Sequence, residues 1–209
     1  MARRTAAAPA DANSGPRQNL LALDGGLQRP SSAYGDDYLA ELSRAITQYA
    51  PNRPRTVLEW GAGNSTLHMV NHREALDIGS IYSLDSDASY LDAIRTNFPA
   101  WDGLHLHAAD LIGTKLSDRD PGFNYSGLPL TFGVEFDVVF IDGRRRMECA
   151  LTAAQLVRPD GVVLLHDYRR ERYQIARLLF DVIEDGSQFR AMRVRREIIT
   201  ARSSTRSAR

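Results

Sequence analysis

Lysine is almost absent from this chain of 209 residues: Lys115 is the single one among 26 basic side chains, and the rest are arginine. Such a skew follows genome composition more readily than function, and 26 acidic residues bring the formal charge to zero. Cysteine is equally scarce. Cys149 alone excludes an internal disulfide and a cysteine-rich zinc site, and it fits a reducing compartment. No uncharged apolar run approaches the roughly 18 residues of a membrane span. Arg3 and Arg4 are followed by no apolar stretch of signal-peptide length before Pro9, Asp11 and Pro16. A cytoplasmic protein without membrane association is expected.

A hydrophobic content of 43% over 209 residues suffices for one sizeable core. Residues 1–32 are rich in Ala, Pro, Ser and Gly with little periodicity and read as a mobile leader. The domain is expected over 33–200, followed by a basic tail at 201–209. Residues 190–209 carry seven arginines against Glu197, either a solvated end or a surface for phosphates or an acidic partner.

Apolar positions Tyr38, Leu39, Leu42, Ile46 and Tyr49 recur at helical spacing until Pro51 and Pro54. Strands are expected at 56–59, 80–84, 104–108, 136–141 and 162–165, with helices at 64–72, 88–97, 147–157 and 173–184. The turn Pro159-Asp160-Gly161 leads into the fifth strand, and 189–199 is a charged strand candidate. Residues 113–134 form an irregular stretch long enough to be a lid or recognition segment. Continuous apolar strands alternating with helices predict an α/β fold, a doubly wound and mostly parallel sheet with helices on both faces.

In such sheets ligands bind beyond the carboxyl ends of the strands, and Glu59, Asp85, Asp110, Asp142 and Asp167 all stand at such ends. The first of these opens the turn Glu59-Trp60-Gly61-Ala62-Gly63-Asn64-Ser65-Thr66. Bare backbone at Gly61 and Gly63 lets a ligand approach closely. Asp85 can accept two hydrogen bonds from a ribose diol, and Asp110 one from an adenine amino group or, equally, from its own loop. The segment suggests a nucleoside cofactor.

Leu-Glu-Trp-Gly-Ala-Gly-Asn-Ser-Thr-Leu, Tyr-Ser-Leu-Asp-Ser-Asp, Phe-Asp-Val-Val-Phe-Ile-Asp-Gly and Arg-Pro-Asp-Gly-Val-Val-Leu-Leu-His-Asp-Tyr, in that order over about 34–180, resemble the class I S-adenosylmethionine-dependent methyltransferases. The resemblance implies that Glu59, Gly61, Gly63 and Ser65 form the loop at the amino acid part of S-adenosyl-L-methionine and that Asp85 binds its ribose. Ser65 stands where the family usually has a third glycine, as in similar small-molecule O-methyltransferases. Asp142 and Asp167 match positions that hold a divalent metal in metal-dependent O-methyltransferases, with His166 where an aspartate is more usual. The histidine shifts preference from magnesium toward manganese, iron or zinc. The alternatives are His166 as a metal-free general base, with Asp142 and Asp167 as its catalytic partners, and a purely structural pair. The family's sheet ends in two strands after its last helix. Only one is evident here, which implies a shortened C-terminal edge that would alter oligomerisation, including homo-oligomer formation, or narrow the acceptor pocket.

Arg144, Arg145 and Arg146 follow one strand end, and Arg169, Arg170 and Arg172 another. Guanidinium groups grip carboxylate and phosphate in two-pronged fashion, so the rim suggests an anionic small-molecule acceptor; alternatively these arginines pair with nearby acids or face water. Aromatic residues do not interleave with them, which speaks against nucleic acid. Trp60 and Tyr168 are candidates for packing on a ligand or within the core. His105 and His107, and the i, i+4 pair His68 and His72, lack a third metal ligand. The expected activity is methyl transfer to an oxygen, less readily a nitrogen. Two rivals are a nicotinamide-dependent oxidoreductase, disfavoured by Thr66 where a further glycine belongs, and a non-catalytic binding module.

Overall fold

A computed structural model describes residues 36–98, 100–111 and 123–207. The expected leader and residues 112–122 of the irregular stretch, Lys115 included, lie outside them. Strand β1 (Arg55–Trp60) is followed by helix α2 (Asn64–Asn71), β2 (Ile78–Asp85), α3 (Ala88–Asn97) and β3 (Leu104–Ala108). The chain then crosses back through a short helix α4 (Phe123–Gly127) and a 3-10 turn (Leu128–Thr131) to β4 (Phe136–Ile141), α5 (Arg146–Leu156) and β5 (Val157–His166). Helix α1 (Asp36–Tyr49) precedes them all.

The sheet order is β3-β2-β1-β4-β5-β7-β6, the last two being Phe189–Val194 and Phe180–Asp185. The first five strands are parallel. Their order reverses between β1 and β4, so the crevice at which such sheets bind ligands opens beyond Trp60 and Ile141, which pair with each other. Alternation along the strands feeds two cores. Leu58, Trp60, Val139, Ile141, Val163 and Leu165 face α5 on one side, and Val57, Val138, Phe140, Val162 and Leu164 face α1, α2 and α3 on the other. Each such side chain contributes roughly 1.5–3 kcal/mol by leaving water. This is why the strands read as unbroken apolar runs.

The C-terminal third departs from expectation. The helix expected at 173–184 is a 3-10 helix (Glu171–Leu178) followed by strand β6 (Phe180–Asp185). Buried Tyr173, Ala176 and Phe180 imitate helical spacing, but the 3-10 turn supplies the first two and the edge strand the third. Strand β7 (Phe189–Val194) ends before 199 and is antiparallel to both neighbours, and α6 (Arg196–Ser207) runs through the expected tail boundary. The edge is therefore complete with two strands after the last turn, and the premise of a shortened edge falls away. The expected turn at 159–161 lies within β5, where Val157 pairs with Phe136 and Val162 with Val138, so that residues 158–161 stand against Asp137.

Several terminal arginines hold the fold together. Buried Arg190 grips Asp185 through two bonds at 2.5 and 3.0 Å and lies 4.5 Å over the Tyr168 ring. Arg193 donates to the carbonyl of Tyr49 and Arg202 to those of Ala154 and Val157. Helix α1 is tied down by charge as well as packing: Glu41 accepts from the backbone N–H groups of Gln188 and Phe189 in the β6–β7 hairpin.

Candidate functional site

The glycine turn is laid onto the end of the neighbouring strand, where Gly61 N–H and Ala62 N–H both donate to the Leu84 carbonyl, at 2.8 and 3.2 Å. Gly61 adopts φ +98°, and a Cβ there would meet the backbone of Gly143 at 2.7 Å. The demand for glycine at 61 thus comes from the loop after β4, which closes against this turn through Asp142 N–H donating to the Trp60 carbonyl at 3.0 Å. Gly63 differs. Its backbone is extended, and a Cβ would meet nothing nearer than the Tyr90 hydroxyl at 3.5 Å.

Glu59 is wholly enclosed, and both carboxylate oxygens are taken by the chain itself. Ser65 donates to one, and Thr66 and Ser83 to the other, each at 2.5 Å. Thr66 also accepts from Gly63 N–H at 2.9 Å, closing the first turn of α2. Burial raises the Glu59 carboxyl from 4.5 to about 7, against the opposing pull of the three hydroxyl donors. Glu59 and Ser65, both expected at a cofactor, are hydrogen-bonded to each other. The position of Ser65 in place of a third glycine acquires a reason: the hydroxyl secures a carboxylate.

At the end of β2, buried Asp85 accepts from Asp87 N–H at 3.0 Å, and its carbonyl receives Ala109 N–H, joining the exits of β2 and β3. Asp110 is exposed beyond β3. These two acids stand at adjacent strand ends, as the sequence suggested.

Asp142 and Asp167 come together at the exits of β4 and β5. Asp142 accepts from the Tyr38 hydroxyl at 2.8 Å on Oδ2 and from Arg146 at 3.0 Å on Oδ1, with His166 Nδ1 2.8 Å from the same Oδ1. Asp167, at φ +58°, accepts from Arg146 at 2.8 Å and pairs with Arg170 at 2.9 Å, both on Oδ2. Burial pushes the Asp167 carboxyl up, but Arg146, with His166 and Arg170, outweighs it and holds the group below its ordinary value. The Tyr38 hydroxyl, buried against the Asp142 charge, is pushed well above the ordinary tyrosine value and stays protonated. His166 is flanked by the Tyr38 ring, perpendicular to it, and by the tilted Phe189 ring, with centres at 5.4 and 5.5 Å.

This arrangement does not fit a metal at Asp142 and Asp167. Both Asp142 oxygens and Asp167 Oδ2 already serve guanidinium and hydroxyl donors, and a guanidinium lies between the carboxylates. Among the described residues no group of three or more His, Cys, Asp or Glu side chains is disposed to hold an ion. Sequence reasoning saw Arg146 only as a candidate for substrate binding, and it missed Tyr38, which it counted as one apolar position of α1. The one available signal was that Arg146 lies four residues after Asp142.

Other candidates belong to the fold. Trp60 is fully buried and donates to the Tyr125 carbonyl at 3.1 Å. Tyr168 donates to the Gly186 carbonyl at 2.8 Å, facing the hairpin. His105 and His107 stack with Tyr82 at 4.3 and 6.2 Å, and His68 lies 2.6 Å from the Ser43 hydroxyl. Arg145 pairs with Glu148 at 3.3 Å.

No curated protein matches the chain by sequence. Among solved structures, a methyltransferase-like protein from Silicibacter pomeroyi DSS-3 superimposes with a TM-score of 0.59 at 21% identity, over 85% of this chain and 97% of that one. The MycE methyltransferase of mycinamycin biosynthesis, in complex with Mg and SAH, gives 0.53 at 17% identity, over 80% of this chain and 49% of that one. A ribosomal protein L11 methylase from Lactobacillus delbrueckii subsp. bulgaricus gives 0.50 at 16% identity, over 78% and 80%. At these identities the likenesses concern the fold alone. The methyltransferase domain itself matches residues 58–168, more than half of the sequence and the span from the Glu59 turn to the Asp142–Asp167 cluster, and by that match the chain belongs to the methyltransferase domain family.

Proposed function

We propose that this methyltransferase uses S-adenosyl-L-methionine and delivers its methyl group to an oxygen, less readily a nitrogen, of a small acceptor bearing an anionic group. The observation that carries the reading is the joining of the glycine turn to the Asp142–His166 pair, through Asp142 N–H on the Trp60 carbonyl at 3.0 Å with His166 Nδ1 2.8 Å from Asp142 Oδ1. A donor-binding turn and an oriented imidazole thus share one crevice.

At Gly63 a Cβ would make only ordinary contact, with the Tyr90 hydroxyl at 3.5 Å, so the chain's own packing does not demand glycine there, which fits a ligand laid against bare backbone. In this reading Gly61 and Gly63 flank the amino acid part of the cofactor, Asp85 takes the ribose hydroxyls and Asp110 reaches the adenine amino group. Glu59 and Ser65 act at one remove, by fixing the turn. The sulfonium cofactor supplies an activated methyl group for in-line displacement, and the protein supplies alignment. Asp142 orients His166, whose ring accepts the acceptor's proton as the oxygen attacks. Asp167 anchors the second loop. Arg144 and Arg172 are exposed and, among the described residues, have no carboxylate in ion-pair range, which favours an anionic acceptor group, whereas Arg169 donates to the Tyr168 hydroxyl and the Gly186 carbonyl, both at 3.3 Å.

Titration calorimetry with S-adenosylhomocysteine and with NAD tests the reading. One S-adenosylhomocysteine per chain, weakened at least tenfold by Asp85→Ala, is expected; NAD binding without S-adenosylhomocysteine binding refutes it.

A further inference from the structure

Arg146 is the first residue of α5, and it directs its guanidinium back over the exits of β4 and β5. A guanidinium has five N–H donors, and every one has an acceptor here. Nε donates to the Gly143 carbonyl at 3.1 Å. Nη1 donates to the His166 carbonyl at 3.0 Å and to Asp167 Oδ2 at 2.8 Å. Nη2 donates to the Asp142 carbonyl and to Asp142 Oδ1, both at 3.0 Å. The group is 12% exposed and lies 5.6 Å from the Tyr173 ring centre.

Three of the five acceptors are backbone carbonyls from two loops, and the other two are the carboxylates that end adjacent strands. The turns that allow this are costly ones: Arg145, immediately before Arg146, and Asp167, one of the linked residues, both occupy the left-handed region, at φ +49° and +58°. A lysine, with three donors radiating from one atom, cannot span this set of acceptors.

We propose that Arg146 is the built-in cation of this site, a positioning residue that holds Asp142 and Asp167 in register where a divalent ion would otherwise join them, so that methyl transfer is metal-independent. The proposal rests on the methyl-transfer reading for the reaction, but its exclusion of a divalent ion does not. A second cation of charge two would face Arg146 and Arg170, which is 2.9 Å from Asp167, within one cluster of two carboxylates. Mutual repulsion of the cations disfavours that occupancy. His166 gains from the same clamp, since its own carbonyl and its neighbour Asp142 are both held by Arg146.

The test is Mn2+ uptake by the EDTA-treated full chain, followed by the paramagnetic signal of free Mn2+, for the wild type, Arg146→Ala and Arg146→Gln. The wild type should take up none, and the variants should gain one Mn2+ per chain. Turnover should be unchanged by EDTA in the wild type. In the variants kcat should fall by about tenfold or more, with little change in KM for the methyl donor, and Arg146→Lys should not restore it. Stoichiometric Mn2+ on the wild type, EDTA-sensitive wild-type turnover, or folded variants that bind no Mn2+ overturns the proposal. If the variants fail to fold, wild-type Mn2+ uptake alone decides, absence supporting the proposal and stoichiometric binding refuting it. S-adenosylhomocysteine calorimetry on the same samples separates the two levels, because its failure would remove the methyl-transfer reading and leave the Mn2+ result standing.

Discussion

Replacing Glu59 with glutamine should abolish a specific slope in the pH dependence of stability. In the folded chain the Glu59 carboxyl titrates near 7 instead of 4.5, because the cost of burying its charge exceeds what three hydroxyl donors return. The unfolded chain releases this proton first, so between the two values the folded state binds more protons than the unfolded state. Stability then falls as pH rises from about 4.5 and levels off above 7. Integrating over that window gives a loss of roughly 3 kcal/mol, of which about 2.5 kcal/mol falls between pH 5 and 8. Glutamine has the same shape and no charge, so the difference in unfolding free energy between Glu59→Gln and wild type should move in the variant's favour by about 2–3 kcal/mol from pH 5 to pH 8. Urea denaturation of both proteins at pH 5, 6, 7 and 8 measures it, with other titrating groups cancelling in the difference. A difference that stays flat, or that moves in the wild type's favour with rising pH, would show that the hydroxyls outweigh burial and would refute the reasoning.

Gly61→Ala should destabilise by on the order of 3 kcal/mol or more, from left-handed strain and the 2.7 Å approach of Gly143. Gly63→Ala should cost under about 1 kcal/mol in stability while weakening S-adenosylhomocysteine, since a Cβ there would make only ordinary contact with the Tyr90 hydroxyl at 3.5 Å; thermal unfolding and calorimetry separate the two, and equal stability losses would contradict the assignment. Tyr38→Phe removes the donor to Asp142 Oδ2 and should cost about 1–3 kcal/mol in urea. His107 is held below its ordinary 6.5 by burial and by His105, so the wild type loses stability as pH falls below 6.5. Its Nε2 has no hydrogen-bond partner among the described residues, and His107→Phe, stacked on Phe132, should lessen that acid sensitivity, as pH-dependent melting would report.

The parallel half of the sheet was legible because its signals are local. Val138-Val139-Phe140-Ile141, short and rich in β-branched residues, reads as a doubly covered strand, and an acid after such a run stands at the strand's carboxyl end, the edge where such sheets bind ligands. The antiparallel edge was not legible, because Tyr173, Ala176 and Phe180 satisfy two periodicities at once and only the pairing of β6 with β7 chooses between them. The site divides in the same way. Where each carboxylate stands follows from its strand, but what it does follows from partners distant in sequence. Glu59 and Asp167 both end buried strands, yet burial among neutral hydroxyls from residues 65, 66 and 83 lifts the first toward 7, whereas Arg146 and Arg170 hold the second below its ordinary range. Strand-end position therefore assigns an acid to the crevice without assigning its charge. That charge is what distinguishes a carboxyl that frames the glycine turn by holding a proton near neutrality from one that anchors a guanidinium in the role of a metal.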